Sequence, residues 1–278
     1  MSRYSAMFER LAANDEAAFG AFLMLGDPDL TTSATLLDSL VEGGADMIEV
    51  GIPFTDPIAD GPVIQAAANR ALGSGTSVED CFRLLTEFRR RHPSIPIGIL
   101  TYANILAARG RSQFCLDAAA AGVDSLLIAD VPALEIEPYR EAARRAAIDL
   151  VMIAAPNTPG QTLTRIARIC SGYTYCVARM GVTGLQDRPA LDHRETIAEL
   201  ARLGAPPPIV GFGIATPDQV REAISAGAAG VISGSAIVEL VTKPDASARI
   251  AHFVAAMKEA TRSSCNAEIT EGDRHHAR

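Results

Sequence analysis

Eight short apolar runs rich in β-formers, each followed by a stretch with helical spacing and never by a Gly/Ser/Pro linker, leave this chain few ways to fold. The runs fall at 19–25, 46–51, 97–102, 125–130, 150–154, 173–177, 208–212 and 230–233. Between them, segments such as Ser77 to Arg89 and Asp218 to Ile224 place apolar side chains on one helical stripe and charges elsewhere. The phrases Gly44-Ala45-Asp46, Gly122-Val123-Asp124 and Gly227-Ala228-Ala229 stand just before three of the runs, where glycine suits the end of a helix feeding a strand. In 278 residues this alternation predicts an α/β chain, a single-domain (β/α)8 TIM barrel over 1–262. A doubly wound sheet has fewer strands and a topological break. The polar stretch 263–278 reads as a frayed C-terminal tail.

Composition removes several classes of function. With 25 basic and 33 acidic side chains the net charge is −8, so the basic footprint of a nucleic-acid binder is missing. No apolar run approaches the ~18 residues of a membrane span, and the first ten residues lack the apolar core of a secretory signal. Five cysteines form no CxxC and no Cys/His cluster, which argues against both a metal site and a complete disulfide framework. A cytoplasmic protein is expected.

A barrel of this kind places its chemistry at the C-terminal ends of the strands and in the loops after them. In the second run, Met47-Ile48-Glu49-Val50-Gly51, period-two alternation sets Met47, Glu49 and Gly51 on one face and Ile48 and Val50 on the other. If Ile48 and Val50 meet the helices, Glu49 points into the barrel, where apolar surroundings raise its pKa toward neutrality. The next segment, 53–62, holds Asp56, Asp60 and three prolines that limit its freedom. Either aspartate could stand over the mouth as a partner to Glu49, leaving the other to a turn. The seventh and eighth runs lead into Gly211-Phe212-Gly213 and Ser233-Gly234-Ser235, with a short helix expected to begin near Ser235. This pair of loops is the recurrent phosphate site of such barrels. The apolar candidates for the mouth are Phe22, Leu100, Leu127, Tyr175 and Phe212, suited to a flat aromatic group beside the phosphate. The long segment 178–190 reads as a lid.

The segment from Glu49 to Pro62, EVGIPFTDPIADGP, resembles the signature of tryptophan synthase alpha subunits. The likeness continues through Leu25-Gly26-Asp27-Pro28, Tyr102-Ala103-Asn104, Ala129-Asp130-Val131-Pro132, Gly181-Val182-Thr183-Gly184, Gly211-Phe212-Gly213-Ile214 and Gly230 to Ile237, covering roughly Tyr4 to Met257. The resemblance implies a retro-aldol lyase that cleaves indole-3-glycerol phosphate to indole and glyceraldehyde 3-phosphate in L-tryptophan biosynthesis. It implies Glu49 as the proton donor to indole C3 and Asp60 as the group that steadies charge at the indole nitrogen. It also implies phosphate on Gly184, Gly213, Gly234 and Ser235, Thr183 as a substrate-binding residue, and an αββα heterotetramer in which Pro53, Asp56, Asn104 and Pro132 face the beta subunit. No cofactor or metal is then expected in this chain; pyridoxal phosphate is expected in the partner. The chain departs from the usual pattern at Met24, Ala178, Met180 and Ala133-Leu134, positions that bear on lid closure and on coupling to the partner.

Overall fold

The computed structural model describes residues 2–177 and 193–262. The eight strands are β1 (Ala18–Met24), β2 (Met47–Gly51), β3 (Ile97–Thr101), β4 (Ser125–Ile128), β5 (Asp149–Ala154), β6 (Thr174–Val177), β7 (Pro208–Gly211) and β8 (Gly230–Ser233). They are all parallel and pair in sequence order, with β8 returning to β1, so the sheet closes into a barrel. Around it run α1 (Arg3–Ala12), α2 (Leu30–Glu42), α3 (Pro62–Gly73), α4 (Val78–Arg91), α5 (Ala103–Arg109) and α6 (Arg111–Ala120). The remaining helices are α7 (Glu137–Arg145), α8 (Gly160–Ile169), α9 (Arg194–Arg202), α10 (Pro217–Ser225), α11 (Ser235–Val238) and α12 (Ala246–Glu259). The expected (β/α)8 barrel is the fold, and each of the eight runs forms a strand. The expected tail, 263–278, lies outside the described residues.

Local rules explain the element ends. Ser77 and Asp80 form a capping box at the start of α4, and Thr216 and Gln219 form another at α10, each satisfying two backbone donors that the helix itself cannot. Gly44, Gly122 and Gly227 all have positive φ, the left-handed conformation that lets a helix turn into the next strand. The aspartates that follow the first two have a task of their own. Asp46 accepts the N–H of Phe19, at the start of the neighbouring strand, at 2.9 Å, and Asp124 accepts that of Ile97 at 2.8 Å. Each then draws cations: Arg10 and Lys258 to Asp46, Arg3 and Arg89 to Asp124, at 2.7–2.8 Å. These pairs, with Lys258 and Arg262 on Glu16, form a charged floor at the N-terminal ends of the strands.

Above that floor the interior is closed by α1. Tyr4, 1% exposed, enters the barrel and shares a 2.7 Å hydrogen bond with the hydroxyl of Ser125 on β4, its ring 5.3 Å from that of Tyr173. Space for these hydroxyls is made by Gly98 on β3. A Cβ there would lie 2.8 Å from Ser125 Oγ and 3.2 Å from Tyr4 Oη.

Candidate active site

Strand register settles which side chains face inward. Phe22, Glu49 and Gly98 are aligned across β1, β2 and β3, as are Leu100, Leu127 and Val151 across β3, β4 and β5. Glu49 accepts a 2.9 Å hydrogen bond from the hydroxyl of Tyr173, the residue at the foot of β6, a strand that β2 can meet only through the barrel interior. Ile48 and Val50, both fully buried, therefore face the helices, as the alternation predicts. Glu49 is 2% exposed and its pKa is pushed up to about 7. Burial is the main cause; the Tyr173 hydrogen bond pulls the other way, and the charge of Asp60 adds to the rise. A carboxyl in that range can give a proton and take one back without leaving neutral pH.

The loop after β2 separates its two aspartates. Asp60 is half-buried and near enough for its charge to act on Glu49, and its own pKa is raised by burial and drawn down by the Tyr102 hydroxyl. Its backbone is pinned on both sides: its N–H donates to Pro57 O at 3.1 Å, and its carbonyl accepts from the Gln65 amide at 2.8 Å. Asp56 is exposed, its carboxylate accepting from the hydroxyl of Thr55. The choice that the sequence leaves open thus falls geometrically to Asp60 as the neighbour of Glu49.

Apolar walls surround the acid. Phe22, Leu127 and Tyr175 are buried and Leu100 partly so. Tyr175 fills the space that Gly211 leaves: a Cβ at 211 would lie 2.0 Å from its hydroxyl oxygen. Phe212 meets Tyr175 edge-on with centroids 5.7 Å apart and is 42% exposed. Its φ of 65° is unusual for an aromatic residue, a strained backbone that turns the ring toward the mouth rather than the core. Met24, at the end of β1, is buried, and a Cβ on Gly51 would meet its thioether and the Phe22 ring at 2.8–3.0 Å.

The loops after β7 and β8 are joined by Ser233, whose buried hydroxyl donates to Ile214 O at 2.7 Å. Gly213, with φ of 85°, and Ser235, the first residue of α11, are exposed, and Gly234 is partly so. The short helix begins where the sequence places it. Thr183 and Gly184, with the rest of the expected lid and its Ala178 and Met180, fall in 178–192, outside the described residues. Of the four partner-facing candidates, Asp56, Asn104 and Pro132 are exposed, whereas Pro53 is buried in this chain and offers no surface of its own.

Two site residues went unnoticed in the sequence. Tyr173 was within reach of the alternation argument, since a strand that turns Tyr175 inward does the same to the residue two before it. Tyr102 ends the run 97–102 two residues after Leu100, so the same alternation turns it inward, but its contact with the Asp60 loop depends on how two loops meet. Among the described residues no cluster of three or more His, Cys, Asp or Glu side chains could hold a metal ion, and the cysteines at 81, 115, 170 and 176 are buried free thiols. No described helix is long and apolar enough to cross a membrane.

Comparison with known proteins agrees with this geometry. A chain from Shewanella amazonensis named tryptophan synthase alpha chain is 48% identical over 94% of this chain and 100% of its own length. One of the same name from Cronobacter sakazakii is 50% identical over 87% of this chain and 90% of its own. Among solved structures, the tryptophan synthase alpha subunit of Legionella pneumophila superposes with a TM-score of 0.83 at 28% identity, covering 94% of this chain and 98% of that one. A chain of the tryptophan synthase complex of Pyrococcus furiosus does so with 0.79 at 33% identity, covering 87% and 98%. The family model described as "Tryptophan synthase alpha chain" matches residues 8–268, and the chain belongs to that family.

Proposed function

We propose that Glu49 and Asp60 carry out the family's reaction, the retro-aldol cleavage of indole-3-glycerol phosphate to indole and glyceraldehyde 3-phosphate. The observation that carries this reading is the buried Glu49 carboxyl, with its pKa raised to about 7, facing a second carboxyl in a different environment. Protonated Glu49 gives its proton to C3 of the indole ring, which makes the ring an iminium. The Asp60 carboxylate stabilises the positive charge that develops at the ring nitrogen. Glu49, now ionised, takes the proton of the glycerol hydroxyl next to the ring. That oxygen becomes the aldehyde carbonyl, the C–C bond breaks, and its electron pair returns to the ring, restoring aromatic indole. Glu49 ends the cycle protonated, as it began.

Phe22, Leu100, Leu127, Tyr175 and Phe212 would hold the flat ring, backbone groups at Gly184, Gly213, Gly234 and Ser235 would hold the phosphate, and Thr183 from the lid would contact the substrate. The iminium is the electron sink, so this chain's own side chains suffice for each proton transfer. The chain would act in an αββα assembly with a tryptophan synthase beta subunit, which carries the pyridoxal phosphate, in the cytoplasm. The apolar tips of Ile58 and Leu134, 81% and 71% exposed in the loops after β2 and β4, lie near Asp56 and Pro132 and suit burial by such a partner.

The test is spectroscopic detection of indole released by the chain, with and without the beta subunit. Glu49→Gln is expected to abolish turnover while substrate still binds, and Asp60→Asn to be strongly impaired. Wild-type turnover in the first variant would end the acid/base assignment. A loss below tenfold in the second, less than ~1.4 kcal/mol of barrier, would return Asp60 to a structural role.

A further inference from the structure

The proposed chemistry leaves a carboxylate at the mouth without a task. Asp130, in the loop after β4, accepts the backbone N–H of Ala103 at 2.8 Å. Ala103 is the first residue of α5, so this bond fixes where that helix begins and with it the preceding residue, Tyr102. The Tyr102 hydroxyl accepts the N–H of Ala59, the residue before Asp60, at 3.2 Å, and lies near enough to the Asp60 carboxyl to draw its pKa down. Its ring stacks on Phe54 with centroids 5.5 Å apart, so the phenol is held at its face as well as its tip. Burial, then Asp60, then more weakly Asp130 push the Tyr102 pKa up, which keeps it a neutral donor. Loops following three successive strands are thereby tied in series: Asp130 to Ala103, then Tyr102 to Ala59, the neighbour of Asp60.

We infer that Asp130 is a positioning residue for the cleavage, acting through Tyr102 to hold the Asp60 carboxylate against the indole nitrogen. This rests on the role given to Asp60 above. Removing the Asp130 carboxylate frees the start of α5, lets the phenol drift and loosens the Asp60 side chain. Displacement of the Tyr102 hydroxyl, which draws the Asp60 pKa down, then moves that pKa up. Asp60 acts ionised, so activity at the acid end of the profile fails at a higher pH than in the parent. Among the described residues, Glu49 and Tyr102 are the titratable groups coupled directly to Asp60, and Asp130 is coupled to it through Tyr102. Titration of the substrate phosphate is common to every variant.

The experiment measures indole release by the full chain with its beta subunit across pH. Asp130→Ala is expected to lower kcat ~10-fold with little change in KM, a misplaced catalytic group rather than lost binding. The acid limb of kcat/KM should rise by about half a pH unit or more. Asp130→Asn, whose amide oxygen still accepts from Ala103, should restore most of the activity, and Tyr102→Phe, which keeps the stacked ring, should reproduce the shifted limb. In an Asp60→Asn background neither Asp130→Ala nor Tyr102→Phe should cost anything further, because the carboxylate they serve is gone. An unchanged acid limb in Asp130→Ala, or equal losses with and without the Asp60 carboxylate, would reduce Asp130 to an ordinary helix cap and overturn the proposal. If Asp130→Ala does not fold by circular dichroism, Tyr102→Phe against Asp60→Asn decides by the same two criteria. Near-parental activity in Asp60→Asn alone overturns the underlying assignment instead, so the two failures are distinguishable.

Discussion

Glu49 is kept where a carboxyl is least comfortable, and the discomfort has a thermodynamic signature. Its pKa moves from an ordinary 4.5 to about 7 in the folded chain. Between those values the unfolded chain has released the proton and the folded chain has not, so stability falls as pH rises through the window. The shift from 4.5 to about 7 amounts to a loss on the order of 3 kcal/mol above pH 7. Glu49→Gln removes the titration and keeps an oxygen for the Tyr173 hydroxyl. That variant should therefore be the more stable protein at pH 8 and no more stable than the parent at pH 4.5, as urea unfolding at the two pH values would show. An equal gap at both would mean that the fold does not oppose the ionised form. At this scale the sequence says a good deal. Alternation in a five-residue strand turns Glu49 inward, and the proline-rich loop marks two candidate partners. Alternation and loop chemistry alone do not choose between those partners; the family resemblance does so by analogy, and the physical difference between Asp56 and Asp60 lies in burial and in a tyrosine from another loop.

At the scale of elements, glycines on the strands decide where polar groups fit inside the barrel. Gly98 leaves room for the hydroxyls of Tyr4 and Ser125 just below the Glu49 carboxyl. Gly98→Ala should cost about 1–3 kcal/mol through overpacking, and Ser125→Ala in the same chain should recover part of it by removing the oxygen that a Cβ would strike. Thermal unfolding of the two single variants and the double variant gives the coupling; strictly additive losses would mean the two positions do not share that space. The element pattern was the most legible layer of this sequence, since eight strands and their glycine-led entries follow from period and turn chemistry alone. The second half of the Gly-x-Asp phrase was not legible. Asp46 and Asp124 each serve the preceding strand, across a whole helix of intervening chain, and nothing local to them shows which backbone donors they meet. Tyr4 is hidden for the same reason, its partner Ser125 being 121 residues away.

For the whole molecule, the proposed function gives the mouth two jobs, holding a substrate and offering a surface. Leu134 is a large apolar side chain left 71% exposed in the loop that also bears Asp130 and Pro132. Leu134→Glu is expected to weaken association with the beta subunit ~10-fold or more, roughly 1.4 kcal/mol, while leaving the fold of the isolated chain unchanged. Calorimetric titration of the two subunits checks the affinity and circular dichroism the fold; unaltered affinity would place the contact elsewhere. Overall architecture and the chemical end of the barrel could be read from one chain, whereas a surface that another subunit covers leaves little trace in periodicity. The charged floor at the opposite end has a practical consequence. Arg3, Arg10, Arg89, Lys258 and Arg262 are engaged there with Asp124, Asp46 and Glu16, the full depth of the strands away from the mouth. An engineer seeking heat resistance can rework those ion pairs without touching turnover, and one seeking new substrates can vary the rim knowing that the foundations are anchored independently.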